Sequence, residues 1–147
     1  MLLYQETFIL YEQLKERKMN ILNAIKIVEE FYGMLPKVKL TDNIDENIKH
    51  IRGIYDKIQG DFELNKRDLE NKLNDLGITD LNKSIDNHNS SVSPDKIQKI
   101  EEMFTSKGET APNDLNGLRV ESADLKYPLT LKYIYEATFP NLETINI

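Results

Sequence analysis

Between Ile44 and Leu76 apolar residues return in alternating steps of four and three, through Ile44, Ile48, Ile51, Tyr55, Ile58, Phe62, Leu69 and Leu76. Asn65 and Lys72 occupy the two polar positions of this seam, and Leu73 stands beside the second. A seven-residue repeat sustained in this way keeps one apolar stripe on one side of a helix, and another helix has to cover it.

The candidate cover precedes it in the chain. Tyr4, Phe8, Tyr11, Leu14, Ile21, Ile25, Val28, Tyr32 and Leu35 follow a helical period with one missing beat at Lys18, before Gly33 and Pro36 stop the run. At about 1.5 Å per residue this is a rod of about 50 Å. Leu10, Leu22, Ile27 and Phe31 widen its stripe, so more than one neighbour is expected to pack on it. Thr41, Asp42 and Asn43 supply N-cap candidates for the second helix, Asn43 and Glu46 have the spacing of a capping box, and Gly77 is its stop. Two long helices with a short connection fold back most simply on each other. The expected fold is therefore mainly α: a long antiparallel, coiled-coil-like helical hairpin over residues 1–76, a short third helix and a small C-terminal docking segment.

Two features of the second helix stay open. Asn65 either fixes register from a buried position or is tolerated near a solvated end. Gly53 and Gly60, each costing about 1 kcal/mol against alanine, mark either a close backbone approach or an exposed face.

Residues 77–95 are polar and rich in turn formers, which predicts a mobile linker with at most one helical turn around Leu81 and Ile85. Residues 96–147 form the remaining unit. Ser93 followed by Pro94 opens a short helix through Ile97, Ile100, Met103 and Phe104 that Gly108 closes. Leu118 and Val120 alternate with Arg119 and Glu121, as in a short strand or extended arm. Beyond them the apolar residues fit a period of two, yet also fit a helix of about ten residues that starts at Pro128 and ends at Pro140. The docking segment is thus expected as helix or extended arm, with helix preferred.

The residue inventory removes many chemistries. The chain has no cysteine, which excludes disulfides, thiolate metal sites and cysteine nucleophiles. Its two histidines, His50 and His88, have no metal-ligand spacing; His50 reads as solvated or capping, and His88 falls in the polar stretch. Asp80, Asn82, Ser84, Asp86 and His88 resemble the start of a calcium loop, but Ile85 and Ser91 stand where glycine and a bidentate glutamate are needed. Adjacent carboxylates such as Glu29 and Glu30 diverge by about 100° on a helix and share neither proton nor metal. No phosphate-binding glycine loop or nucleophile elbow occurs. No catalytic, cofactor-binding or metal-ligating residue is assigned, no cofactor is expected, and the chain is read as a non-enzyme.

Net charge is −6, and residues 41–76 carry nine acidic against six basic side chains. The densest basic cluster, Lys15, Arg17 and Lys18, is diluted by Glu12 and Glu16, which disfavours nucleic acid as a partner. No apolar run approaches a membrane span, and the N-terminal residues lack the basic opening of a signal peptide. The expected location is the cytoplasm or a particle assembled there.

Tyr127, Tyr133, Tyr135 and Phe139 crowd the last 21 residues around Leu131. Large side chains with a polar tip suit interface anchors, although some of these five are expected to cap the chain's own hairpin. The function this predicts is a structural or adaptor subunit that assembles other protein subunits, self or hetero. A phage or other viral particle component fits, as does a cellular scaffold. Two alternatives remain: a small acidic regulatory or inhibitory binding protein acting through residues 42–75, and a nucleic-acid-associated helical factor using Lys15, Arg17, Lys18 and Lys26.

Overall fold

The computed structural model describes residues 2–147, and side chains from Glu6 onward. The Tyr4 side chain, assigned above to the first apolar stripe, lies outside the described residues. The chain is mainly helical, with 74% of residues in helix and no strand among the described residues. Five α-helices follow in order: α1 (Leu2–Met34), α2 (Ile44–Asp75), α3 (Leu81–Ser91), α4 (Pro94–Thr105) and α5 (Ser122–Thr138), with one 3₁₀ turn at Leu115–Leu118.

Local chemistry sets most of these boundaries. The Asn43 side chain accepts a hydrogen bond from the Glu46 amide at 3.2 Å and caps α2. The Asn47 side chain holds the preceding loop by accepting from the Thr41 amide at 2.8 Å and donating to the Thr41 carbonyl at 2.7 Å. At the other end Gly77 takes φ +75°, and the Ile78 amide reaches back to the Leu73 carbonyl at 2.9 Å. That bond across six residues, with Leu73 and Ile78 both buried, is a Schellman stop. Gly108, at φ +72°, closes α4 in the same way, with the Glu109 amide bonding the Phe104 carbonyl at 3.1 Å.

α1 is the spine, and it serves two cores. Its C-terminal half from Ile21 onward, with Leu35 just past its end, packs against Ile58, Phe62, Leu69 and Leu73 of α2, Leu81 and Ile85 of α3, Leu131 and Tyr135 of α5, and the tail residues Phe139 and Ile145. Its N-terminal half buries Tyr11 and Leu14 against Val92, Ile97, Ile100 and Phe104 around α4, and against Leu115 and Leu118 of the 3₁₀ turn. Lys18, the missing beat, falls between the two, and its Nζ donates to the Gly117 carbonyl at 2.5 Å. The wide stripe of α1 is thus explained by several neighbours, and α2 covers only part of it.

Only part of the α2 seam is used internally. Ile58, Phe62 and Leu69 are buried, and the Phe31 and Phe62 rings meet at 5.6 Å. Ile51 and Tyr55 are half-buried, whereas Ile44 and Ile48 are exposed. Asn65 is half-buried between Phe62 and Leu69, away from either end of the helix. Gly53 and Gly60 are exposed, and a Cβ added at either would meet nothing within 4 Å, so the close-approach reading of these glycines is corrected.

Within residues 77–95 α3 runs over Leu81–Ser91, which corrects the expectation of at most one helical turn there. Asp80 caps α3 by accepting from the Lys83 amide at 3.0 Å, and Leu81, Ile85 and His88 form a buried face. Their spacing of four and three is helical, but the surrounding Asn and Ser residues hide it. α5 is also longer than expected and starts six residues before Pro128. Asp124 accepts from the Glu121 amide at 2.9 Å at its start, and Pro128 sits buried inside the helix. An interior proline costs about 3 kcal/mol; burial of Pro128, Leu131 and Tyr135 on one side offsets it.

The Leu118–Val120 stretch keeps the alternation of a strand without a strand partner. Leu118 and Val120 are buried and Arg119 is half-buried. In place of a neighbouring strand, Asn89 on α3 accepts from the Val120 amide at 2.8 Å and donates to the Val120 carbonyl at 2.9 Å. Arg119 in turn donates to the Asn89 and Val92 carbonyls at 3.2 and 3.1 Å, satisfying the C-terminal end of α3.

Candidate functional site

α5 and its C-cap Phe139 carry the aromatic and leucine residues that the sequence singles out, and the structure divides them. Leu131, Tyr135 and Phe139 are buried, whereas Tyr127 and Tyr133 are 57% and 74% exposed. The buried members belong to an aromatic stack: Tyr32 lies on Tyr135 at 6.1 Å, Tyr135 on Phe139 at 6.0 Å, and Phe139 on Tyr55 at 6.4 Å. The Tyr135 hydroxyl donates to the Leu35 carbonyl at 2.5 Å, and the Tyr32 hydroxyl accepts from the Ile145 amide at 3.4 Å. Burial pushes Tyr32 up to about 12 and also raises Tyr135, so both remain phenols at neutral pH. These three residues fasten α5 and the tail to the molecule's own core.

The exposed members flank that anchored face. At about 100° per residue, Tyr127 and Ile134 fall almost in line on one side of it, and Leu129 and Tyr133 fall on the other. Leu129 and Ile134 are 42% and 50% exposed. Lys132 and Glu136, one turn apart, form an ion pair at 3.7 Å on the same helix. The arrangement is a helix whose position is fixed on one side and whose apolar residues face outward on both flanks.

The basic cluster on α1 is largely spent on the molecule itself. Lys15 lies 4.0 Å from the Asp114 carboxylate and over the Tyr11 ring at 5.3 Å, while Lys18 bonds the Gly117 carbonyl. The Tyr11 hydroxyl donates to Asp114, and burial together with that carboxylate pushes its pKa up to about 12. Arg17 and Lys26 remain exposed. His50 is exposed as expected and borders a shallow depression with Lys37 and Lys39. Among the described residues no group of three or more His, Cys, Asp or Glu side chains could hold a metal ion.

His88 is the residue that sequence reasoning missed. It is fully buried on α3, and its Nε2–H donates to the Leu118 carbonyl at 2.6 Å, while Nδ1 has no partner. Burial lowers its pKa, opposed by the Leu118 bond and reinforced by Arg17, Lys18 and Arg119. The spacing of His88 from Leu81 and Ile85 was the available signal. No helix of the described residues is long and apolar enough to cross a membrane. No protein-family model matches this chain, and neither a curated protein nor a solved structure shows significant similarity to it.

Proposed function

We propose that the protein is a non-enzymatic structural or adaptor subunit that binds another protein subunit through α5. In this reading α1 and α2 act as a long antiparallel helical spacer, and α5 is the docking element. The observation that carries it is the division of α5 and its C-cap residue into a buried anchor of Leu131, Tyr135 and the capping Phe139 and an exposed set of Tyr127, Leu129, Tyr133 and Ile134. A tyrosine on a fixed helix presents large contact area at small conformational entropy cost, which favours association. A photo-crosslinking residue placed at 127 or 133 in the full chain is expected to give an adduct of defined mass, with the same residue at exposed Glu101 as control. Absence of an adduct at both positions, or the same adducts from the control, would overturn the proposal.

A second reading, a small acidic regulatory protein, draws on the start of α2. There Ile44 and Ile48 are exposed in a stretch that also carries Asp42, Asp45 and Glu46. Reversal of Asp45 and Glu46 to lysine would weaken partner binding in this reading and leave it unchanged if α5 is the docking element.

A further inference from the structure

The start of α2 keeps its seven-residue repeat where the chain's own core no longer covers it. The ring contact of Phe31 with Phe62 lies three residues before Met34, the end of α1, but eighteen residues after Ile44, the start of α2. Along that stretch exposure falls from 73% at Ile44 and 45% at Ile48 to half-buried Ile51 and Tyr55, and then to buried Ile58. One face of the first three turns is therefore apolar and open to a further helix.

The two flanks of that face differ. On one, Asn47 is bonded to the Thr41 backbone and shares a shallow depression with Lys37 and Lys39, so the connection from α1 lies along it. On the other, at about 100° per residue, Asp45 and Arg52 stand in line two turns apart. Both are exposed, and neither forms an ion pair among the described residues. Lys49 and Asp56 fall further round the helix, away from the apolar face.

The heptad fixes what can cover this face. Ile48 and Tyr55 take position a, Ile44 and Ile51 position d, and Asp45 and Arg52 both take position e. When two copies of such a helix run antiparallel, a packs on d, and each e position faces an e position of the other helix. Packing Ile48 on Ile51 and Ile44 on Tyr55 of the second copy brings Asp45 beside Arg52 of that copy, and the two-fold axis repeats the pair. Sliding by one heptad in either direction sets Asp45 against Asp45 or Arg52 against Arg52. A parallel pair sets both charges against the g positions, Asn47 and Ile54, which offer no opposite charge. The charges thus select one orientation and one register.

We propose that the start of α2 is the contact of an antiparallel homodimer, in which Ile44, Ile48, Ile51 and Tyr55 of each copy cover those of the other and two Asp45–Arg52 pairs set the register. An isologous contact closes on itself, so assembly stops at two copies. Three helical turns make a small, transient interface, under about 1,200 Å² in total, which dissociates on dilution. α5 takes no part, and the inference does not rest on the adaptor reading.

The test is sedimentation equilibrium of the full chain from low micromolar to millimolar concentration, at low ionic strength where surface pairs are least screened. A monomer–dimer equilibrium without larger species is expected. Asp45→Lys alone and Arg52→Glu alone each set like charges together at both pairs, and each should dimerise at least about five-fold more weakly than the parent. An equimolar mixture of these two variants restores opposite charges at both pairs, so its mixed dimer should regain the parent's affinity. Ile44→Asp, at the most exposed position of the seam, should lose the dimer. Asp45, Arg52 and Ile44 are all exposed, so their replacement leaves the fold intact, and recovery on mixing checks this for the two charge variants. A parent that stays monomeric, growth beyond a dimer, single variants that dimerise as well as the parent, or a mixture no stronger than its components overturns the proposal. A dimer formed through α5 instead would be unchanged by all three substitutions.

Discussion

The Tyr135 hydroxyl caps the end of α1 from 100 residues away, donating to the Leu35 carbonyl at 2.5 Å in a buried setting. The last carbonyls of a helix have no partner within it, and here a side chain from α5 meets that need. Tyr135→Phe keeps the stacked ring and leaves a buried acceptor unpaired. It is expected to lower stability by about 1–3 kcal/mol, read from urea unfolding midpoints at unchanged slope. A variant as stable as the parent would show that the hydroxyl contributes nothing there.

His88 makes stability depend on pH with a defined sign. Burial holds its folded pKa below the ordinary histidine value of about 6.5, so the folded chain takes up this proton less readily than the unfolded chain. The contribution is complete above 6.5 and is lost as pH falls from there through the lower folded value. His88→Gln should be less stable than the parent near neutrality but should lose less stability on acidification, with exposed His50 common to both. Chemical denaturation at a series of pH values measures this, and parallel pH curves would contradict it.

The glycines divide into two kinds. Gly77 holds φ +75°, so Gly77→Ala is expected to destabilise by about 1 kcal/mol or more. Gly53 and Gly60 lie inside α2 with open space where a Cβ would go, and Gly→Ala at each should stabilise by about 0.5–1 kcal/mol. Thermal unfolding of the three single variants gives the opposed signs directly.

The seam of α2 should show a gradient along its length. Phe62 is 1% exposed and packs on Phe31, so Phe62→Ala is expected to cost about 3–5 kcal/mol. Ile48 is 45% exposed, and Ile48→Ala should cost well under about 1 kcal/mol, much less than Phe62→Ala, with about 0.5 kcal/mol expected. A large loss at Ile48 in isolated protein, varying with concentration, would instead indicate that another chain covers it.

Local chemistry in the sequence was enough to mark the helix ends at Asn43, Gly77, Ser93-Pro94 and Gly108, because a cap or a positive φ is a property of a few adjacent residues. The period of α1, its missing beat at Lys18 and the alternation around Leu118 and Val120 were legible for the same reason. The spacing of Leu81, Ile85 and His88 was a weak helical signal among the Asn and Ser residues, and the tertiary structure decided it, since that short polar segment holds its form by burying one face on α1. It also decided that α5 runs through Pro128, and which tyrosines are anchors and which face outward. Tyr133 and Tyr135 have the same chemistry two residues apart, and on a helix that spacing turns them about 200° from each other. Periodicity determines which residues share a face; only the packing of α5 on α1 determines which face is covered.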